Sequence, residues 1–172
     1  MAARRSFLFC SLLLLLALFV APAQADEALP GKPEGTVASC FDGDTFKLSD
    51  RRVVRLAGID TPELNKRDHK PQYYAREAAA ILGAMTRGQK VQLRAAGKEA
   101  RDRYGRLVAE VILPGGESVN EAMLAQGAAF FYYHAGLNAD LMQRLQNIQS
   151  PAISERRGMW AWILTQPFAL KS

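Results

Sequence analysis

Cysteine and histidine are scarce in this sequence, and each shortage narrows what the chain can be. Of the two cysteines, Cys10 lies in an apolar N-terminal run and only Cys40 lies beyond it. The main body therefore has no pair with which to close an intramolecular disulfide, and its stability rests on packing. Cys40 reads as a small buried apolar residue, not a reactive thiol. The two histidines, His69 and His134, stand at no ligand spacing, which argues against a zinc site. Repeats and low-complexity tracts are missing, which argues against a solenoid or a disordered tail.

The long apolar run, Phe7 to Val20, is shorter than the ~20 residues of a comfortable membrane span. Arg4 and Arg5 precede it and Ala23-Gln24-Ala25 follows, the layout of an export signal. Residues 1–25 are expected to be a signal peptide cleaved after Ala25. An uncleaved anchor is the alternative, whereas Cys10 lies inside the run and not after it, which excludes a lipid anchor. The expected destination is a periplasm or the medium, with no stable membrane association after cleavage.

Acidic charge is in deficit: 22 Lys and Arg against 17 Asp and Glu leave a formal net charge of +5. The bases cluster in two stretches, Lys47 to Lys70 and Arg87 to Arg106. Such a surface attracts polyanions, although a solvated basic face is the ordinary alternative.

Pro30, Gly31 and Pro33 mark residues 26–35 as a flexible leader, and residues 36–165 as one domain. Strand-like runs are Thr36–Cys40, Thr45–Leu48, Val53–Ile59, Val91–Leu93 and Leu107–Leu113, the first two joined by an Asp-Gly-Asp turn. In the third, Val54 and Leu56 share a face and Arg55 points away. A helix with Ala78, Ile81, Leu82 and Met85 on one face and Gly88 at its end falls between the third and fourth strands. A second opens with Ser118 and Glu121 in capping-box relation, buries Val119, Ala122 and Met123, and stops at Gly127. A third starts near Asn138, with Pro151 expected to kink it or end it early, and Trp160 expected to pack back on the core. The predicted fold is α+β: a five-stranded OB-type β-barrel with three packed helices.

Three short blocks carry chemistry: Asp42-Gly43-Asp44-Thr45, Arg55 to Glu63, and Asp102-Arg103-Tyr104-Gly105-Arg106. Asp44 and Asp60 each sit where a strand meets a turn and are candidate metal ligands. Oxygen donors select calcium or magnesium over zinc. Glu63 follows a proline that sets its backbone and is the candidate to orient water. Arg55 and Arg106 are candidates for phosphate, which guanidinium forks bind bidentately. Arg103, Tyr104 and Tyr133 are candidate substrate contacts through charge and stacking. Singly, each has an ordinary alternative: turn carboxylates bonded to their own backbone, structural salt bridges, or aromatic core. A hard cation, a carboxylate for water and two guanidiniums are the parts that phosphodiester hydrolysis needs.

In these blocks the sequence resembles the staphylococcal nuclease (thermonuclease) family. Asp-Gly-Asp-Thr, Arg-Leu-x-x-Ile-Asp-Thr-Pro-Glu and Asp-x-Tyr-Gly-Arg carry the likeness, with Val119-Asn120-Glu121-Ala122 and Gly158-Met159-Trp160 as support. The resemblance spans roughly Val37 to Trp160. It implies an OB-fold nuclease that hydrolyses DNA and RNA with Ca2+ and leaves 3′-phosphorylated products. It also implies that Asp44 and Asp60 bind calcium with the Thr61 carbonyl, that Glu63 acts on the attacking water, and that Arg55 and Arg106 hold the phosphate. The sequence departs from the family pattern at the aromatic pair that sandwiches a base: Tyr133 is present, but Ala135 stands where a second aromatic belongs. A single-stranded substrate and a monomer are expected. The rival reading is an OB-fold module that binds single strands without cutting them.

Overall fold

The computed structural model describes residues 29–64 and 70–165. The proposed signal segment and most of the basic loop after Leu64 lie outside the described residues.

Five strands close into a barrel: β1 (Glu34–Cys40), β2 (Thr45–Leu48), β3 (Val53–Leu56), β5 (Lys90–Ala95) and β6 (Leu107–Ile112). A short ribbon beside it pairs β4 (Ile59–Asp60) with β7 (Phe130–Phe131). Helices α1 (Ala75–Thr86), α2 (Val119–Ala125) and α3 (Ala139–Ser154) pack around the barrel, followed by the short α4 (Trp160–Ile163). Barrel neighbours run in the order β1-β2-β3-β6-β5, and β3 with β6 is the parallel pair. The expected five-stranded barrel with three substantial helices is the observed architecture.

Alternation explains the barrel interior. Phe46, Leu48, Val54, Leu56, Val91 and Leu93 are buried, while their neighbours Lys47, Arg55 and Gln92 are not. Leu82 of α1, Met123 and Leu124 of α2 and Leu145 of α3 join the same core. Asn120 on α2 is fully buried and bonds three barrel groups at once. Its Oδ1 accepts from Val111 N–H at 3.0 Å, and its Nδ2 donates to the carbonyls of Ala57 and Ala109 at 2.8 and 3.3 Å.

Several local expectations change. The run Val53–Ile59 is not one strand: it breaks at Ala57-Gly58, where Gly58 has φ +69°, and restarts as β4. A Cβ on Gly58 would stand 2.5 Å from a Leu145 methyl, so the break needs glycine for both space and conformation. The leader ends earlier than residue 35. Glu34 and Gly35 already pair with Gln92 and Val91, and Arg52 donates to the carbonyls of Lys32 and Glu34. Helix α3 runs through Pro151 to Ser154. The proline lies in the last turn, where it forfeits its bond to the Asn147 carbonyl, and fully buried Ala152 holds that turn in place. On α2, Ser118 Oγ accepts from Glu121 N–H as expected. Ala122, however, is only half-buried, and Asn120 and Leu124 fill the inward face. Cys40 is also half-buried, its Sγ 3.7 Å from Thr86 Oγ1, and burial raises its thiol pKa.

Candidate active site

The β1–β2 turn places two carboxylates at one end of the barrel. Asp42 Oδ1 accepts from Asp44 N–H at 3.1 Å, which folds the turn on itself. Gly43 between them touches the rest of the protein closely. A Cβ there would lie 2.8 Å from Ala78 Cβ and 2.9 Å from Thr61 Oγ1. The turn can therefore seat against α1 and the Thr61 segment only with glycine at this point.

Asp44 is 4% exposed and its oxygens are engaged. Oδ1 accepts from Thr45 Oγ1 at 2.9 Å, and Oδ2 accepts from Thr61 N–H and Thr61 Oγ1 at 3.1 and 3.0 Å. Arg55, on β3 opposite Thr45, forks between two carboxylates. Its Nη1 is 2.8 Å from Asp44 Oδ2 and its Nη2 is 2.7 Å from Asp60 Oδ1. Burial pushes the Asp44 pKa up to about 7; the adjacent Arg55 pulls it down by less, and the Asp42 charge adds to the rise. Glu63 is also raised, first by burial and then by the charges of Asp42 and Asp60. Its backbone is fixed by Gln72: Glu63 N–H donates to Gln72 Oε1 at 2.6 Å, and Gln72 N–H returns a bond to the Glu63 carbonyl at 2.9 Å.

The second arginine arrives on a tight turn before β6. Asp102 Oδ1 accepts from the N–H groups of Tyr104 and Arg106, at 2.9 and 3.0 Å, while its Oδ2 accepts from Arg106 Nε at 2.7 Å. Burial alone would raise the Asp102 pKa, but these bonds outweigh it and hold the pKa below its ordinary value. Arg106 Nη1 then reaches Thr45 Oγ1 at 3.2 Å, so the hydroxyl between the two arginines links the first block to the third. Arg103 and Arg106 both lie over the Tyr104 ring, at 4.9 and 5.4 Å from its centroid.

All of this opens into one cavity of about 680 Å³ whose wall includes Asp44, Arg55, Asp60, Glu63 and Arg106. The profile of the family described as staphylococcal nuclease homologue matches residues 53–162. The chain belongs to the staphylococcal nuclease family. An uncharacterized endonuclease of Escherichia coli is 34% identical over 130 residues, covering 74% of this chain and 76% of that protein. The thermonuclease of Staphylococcus hyicus is 32% identical over 128 residues, covering 73% and 74%. Endonuclease YncB of Bacillus subtilis is 30% identical over 129 residues, covering 73% and 61%.

Within this nuclease-family cavity the structure brings together Asp44, Asp60, Glu63, Arg55 and Arg106, with Arg103 and Tyr104 at the same wall. Thr61 is buried, and its amide and hydroxyl orient Asp44. Tyr133 is the exception. It is 63% exposed and is not part of the cavity wall, whereas its neighbours Tyr132 and His134 are. The β7–β4 pairing is extended by a bond from Tyr132 N–H to the Gly58 carbonyl at 2.9 Å, which ties this segment to Gly58 in the cavity wall. Ala135 also lines the cavity.

Sequence reasoning missed Asp42 as a wall residue and Asp102 as the group that aims Arg106. Both lie inside the quoted motifs, so the signal was present. His134 had none, because it stands in no motif and at no ligand spacing.

The donor set suits a hard cation. Asp42, Asp44, Asp60 and Glu63 crowd one cavity; after burial, the Asp42 charge adds to the rise at Asp44, and the Asp42 and Asp60 charges add to the rise at Glu63, a repulsion that a bound cation would relieve. Among the described residues no three His, Cys, Asp or Glu side chains form a ready cage. Carbonyls, water and substrate oxygens would complete the shell.

Proposed function

We propose that this protein is a calcium-dependent nuclease that hydrolyses phosphodiester bonds of DNA and RNA. The observation that supports it most is the convergence of Arg55 and Arg106 on either side of Thr45, within one cavity that also holds Asp44, Asp60 and Glu63. Endonucleases among its relatives agree with that chemistry.

Asp44, Asp60 and the Thr61 carbonyl would hold the calcium ion. When bound, it supplies charge neutralisation at a phosphate oxygen and an ordered water. Glu63, made more basic by its surroundings, accepts the proton of the attacking water. Arg55 and Arg106 donate to the phosphate oxygens as negative charge grows. Water oxygen bonds to phosphorus, the bond to the 5′ oxygen breaks, and that oxygen takes up a proton. The products are a 3′-phosphate and a 5′-hydroxyl. Asp102 keeps the Arg106 fork in place throughout.

The basic charge and the open cavity favour a single-stranded substrate, and the monomer is taken as the working unit. Arg4, Arg5, the apolar run and Ala23-Gln24-Ala25 support export to the periplasm or medium. N-terminal sequencing of exported protein is expected to begin at Asp26.

The deciding test is cleavage of single-stranded DNA and RNA with calcium, with excess chelator, and with Glu63→Gln. Calcium-dependent cutting that Glu63→Gln removes, with 3′-phosphate ends, is the expected result. Tight binding with no cutting under any divalent ion would overturn the proposal in favour of a binding module.

A further inference from the structure

A second aromatic surface lies outside the cavity and is used by none of the chemistry above. Tyr73 stacks on Trp162 of α4, with ring centroids 4.5 Å apart and planes 29° apart, yet the two residues remain 48% and 44% exposed. We propose that this pair is a stacking platform for bases of single-stranded nucleic acid leaving the active site.

Three observations carry it. Tyr73 directly follows Gln72, whose two hydrogen bonds hold the backbone of Glu63, so one residue separates the platform from the segment bonded to a cavity-lining carboxylate. Tyr74 occupies the left-handed region, at φ 68°, an uncommon conformation for a bulky residue that costs on the order of 1 kcal/mol. That turn packs Tyr74 against the core while leaving Tyr73 outside. Lys70 and Arg76, both exposed, flank Tyr73 in the chain against one exposed acid, Glu77. Half-exposed aromatic rings beside cations are the features by which proteins hold single strands without sequence preference. The occupant is thus the substrate strand itself, beyond the nucleotide being cut. This rests on the nuclease reading for its direction, but its binding test does not need cleavage.

The experiment measures binding of a fluorescein-labelled single-stranded oligonucleotide by the full protein in excess chelator, so that nothing is cut. Trp162→Ala and Tyr73→Ala are each expected to weaken binding roughly 5- to 150-fold, the usual range for losing one stacked base. Trp162→Phe is expected to restore most of it. Cleavage of a dinucleotide, too short to reach the platform, should keep wild-type kcat and KM in both alanine variants. In Trp160→Phe protein, Trp162 emission should be quenched as the oligonucleotide saturates, a readout that needs no destabilising change. Unchanged affinity in the alanine variants, or no quenching at saturation, would overturn the platform. Equal losses on the dinucleotide would also overturn it, as a structural effect on the site. Quenching without any cleavage would uphold the platform and refute only the nuclease.

Discussion

Asn120→Ala should be among the most destabilising single changes in this protein, although Asn120 is not itself part of the cavity wall. The side chain is fully buried and serves three backbone groups. The Ala109 carbonyl keeps a second donor, Ala57 N–H at 2.9 Å, so its loss is small. The Val111 N–H and the Ala57 carbonyl lose the partner that satisfies them in a dry interior. Each orphaned group costs about 1–3 kcal/mol, giving a total of about 2–6 kcal/mol. Against a global stability of about 5–15 kcal/mol, that is a large fraction. Urea titration followed by circular dichroism measures it directly, and the matching drop in Tm is roughly 4–24 °C. Ala57 lies between Arg55 and Asp60, so surviving folded protein should also lose activity. A cost below about 0.5 kcal/mol would refute the reasoning, because it would mean that water or rearrangement satisfies both groups.

Arg106→Ala removes one charge-stabilising donor and should lower kcat by roughly 100- to 1000-fold while the circular dichroism spectrum stays native; near-wild-type turnover would remove Arg106 from the chemistry. The raised Asp44 pKa sets a pH dependence whose sign can be worked out. The native state holds the Asp44 proton more tightly than the unfolded state, so metal-free stability is greatest below about pH 4 on this account and is lost as pH rises toward 7. Asp102, held below its ordinary value, acts in the opposite sense but only at lower pH. Melting curves in chelator should therefore give a higher Tm at pH 5 than at pH 8, calcium affinity should rise across pH 7, and a reversed order would contradict the assignment. Gly43→Ala places a methyl group 2.8 Å from Ala78 Cβ and 2.9 Å from Thr61 Oγ1. It should weaken calcium binding measured by calorimetry and reduce activity, and unaltered calcium affinity would show that the turn does not need its close fit.

Much of the fold was legible because its signals are local. Alternating apolar residues marked β2 and β6 nearly to their ends, and Asn138 and Ser118 cap α3 and α2 where cap residues were read. The failures come from contacts that no local pattern carries. Val53–Ile59 looks like one strand until the Leu145 side chain fills the space a side chain at Gly58 would need. Pro151 looks like a stop until Ala152 is seen buried beneath it. Tyr133 has the right chemistry for a ligand, but in the fold its neighbours Tyr132 and His134 line the cavity and Tyr133 does not.

By itself the sequence determined the chemical inventory: a barrel, no disulfide, two carboxylates at strand ends, a glutamate after proline and two arginines in motifs at fixed spacing. Those are properties of residue type and short-range order, which a single chain displays. Only the tertiary structure decided how these groups act on one another. Arg55 meets Asp44 because β2 and β3 pair in one register, and Arg106 meets Thr45 because β6 lies parallel beside β3 in the barrel. Burial and neighbouring charge, which exist only once the chain is folded, then raise the pKa values of Asp44 and Glu63 above those of free carboxylates.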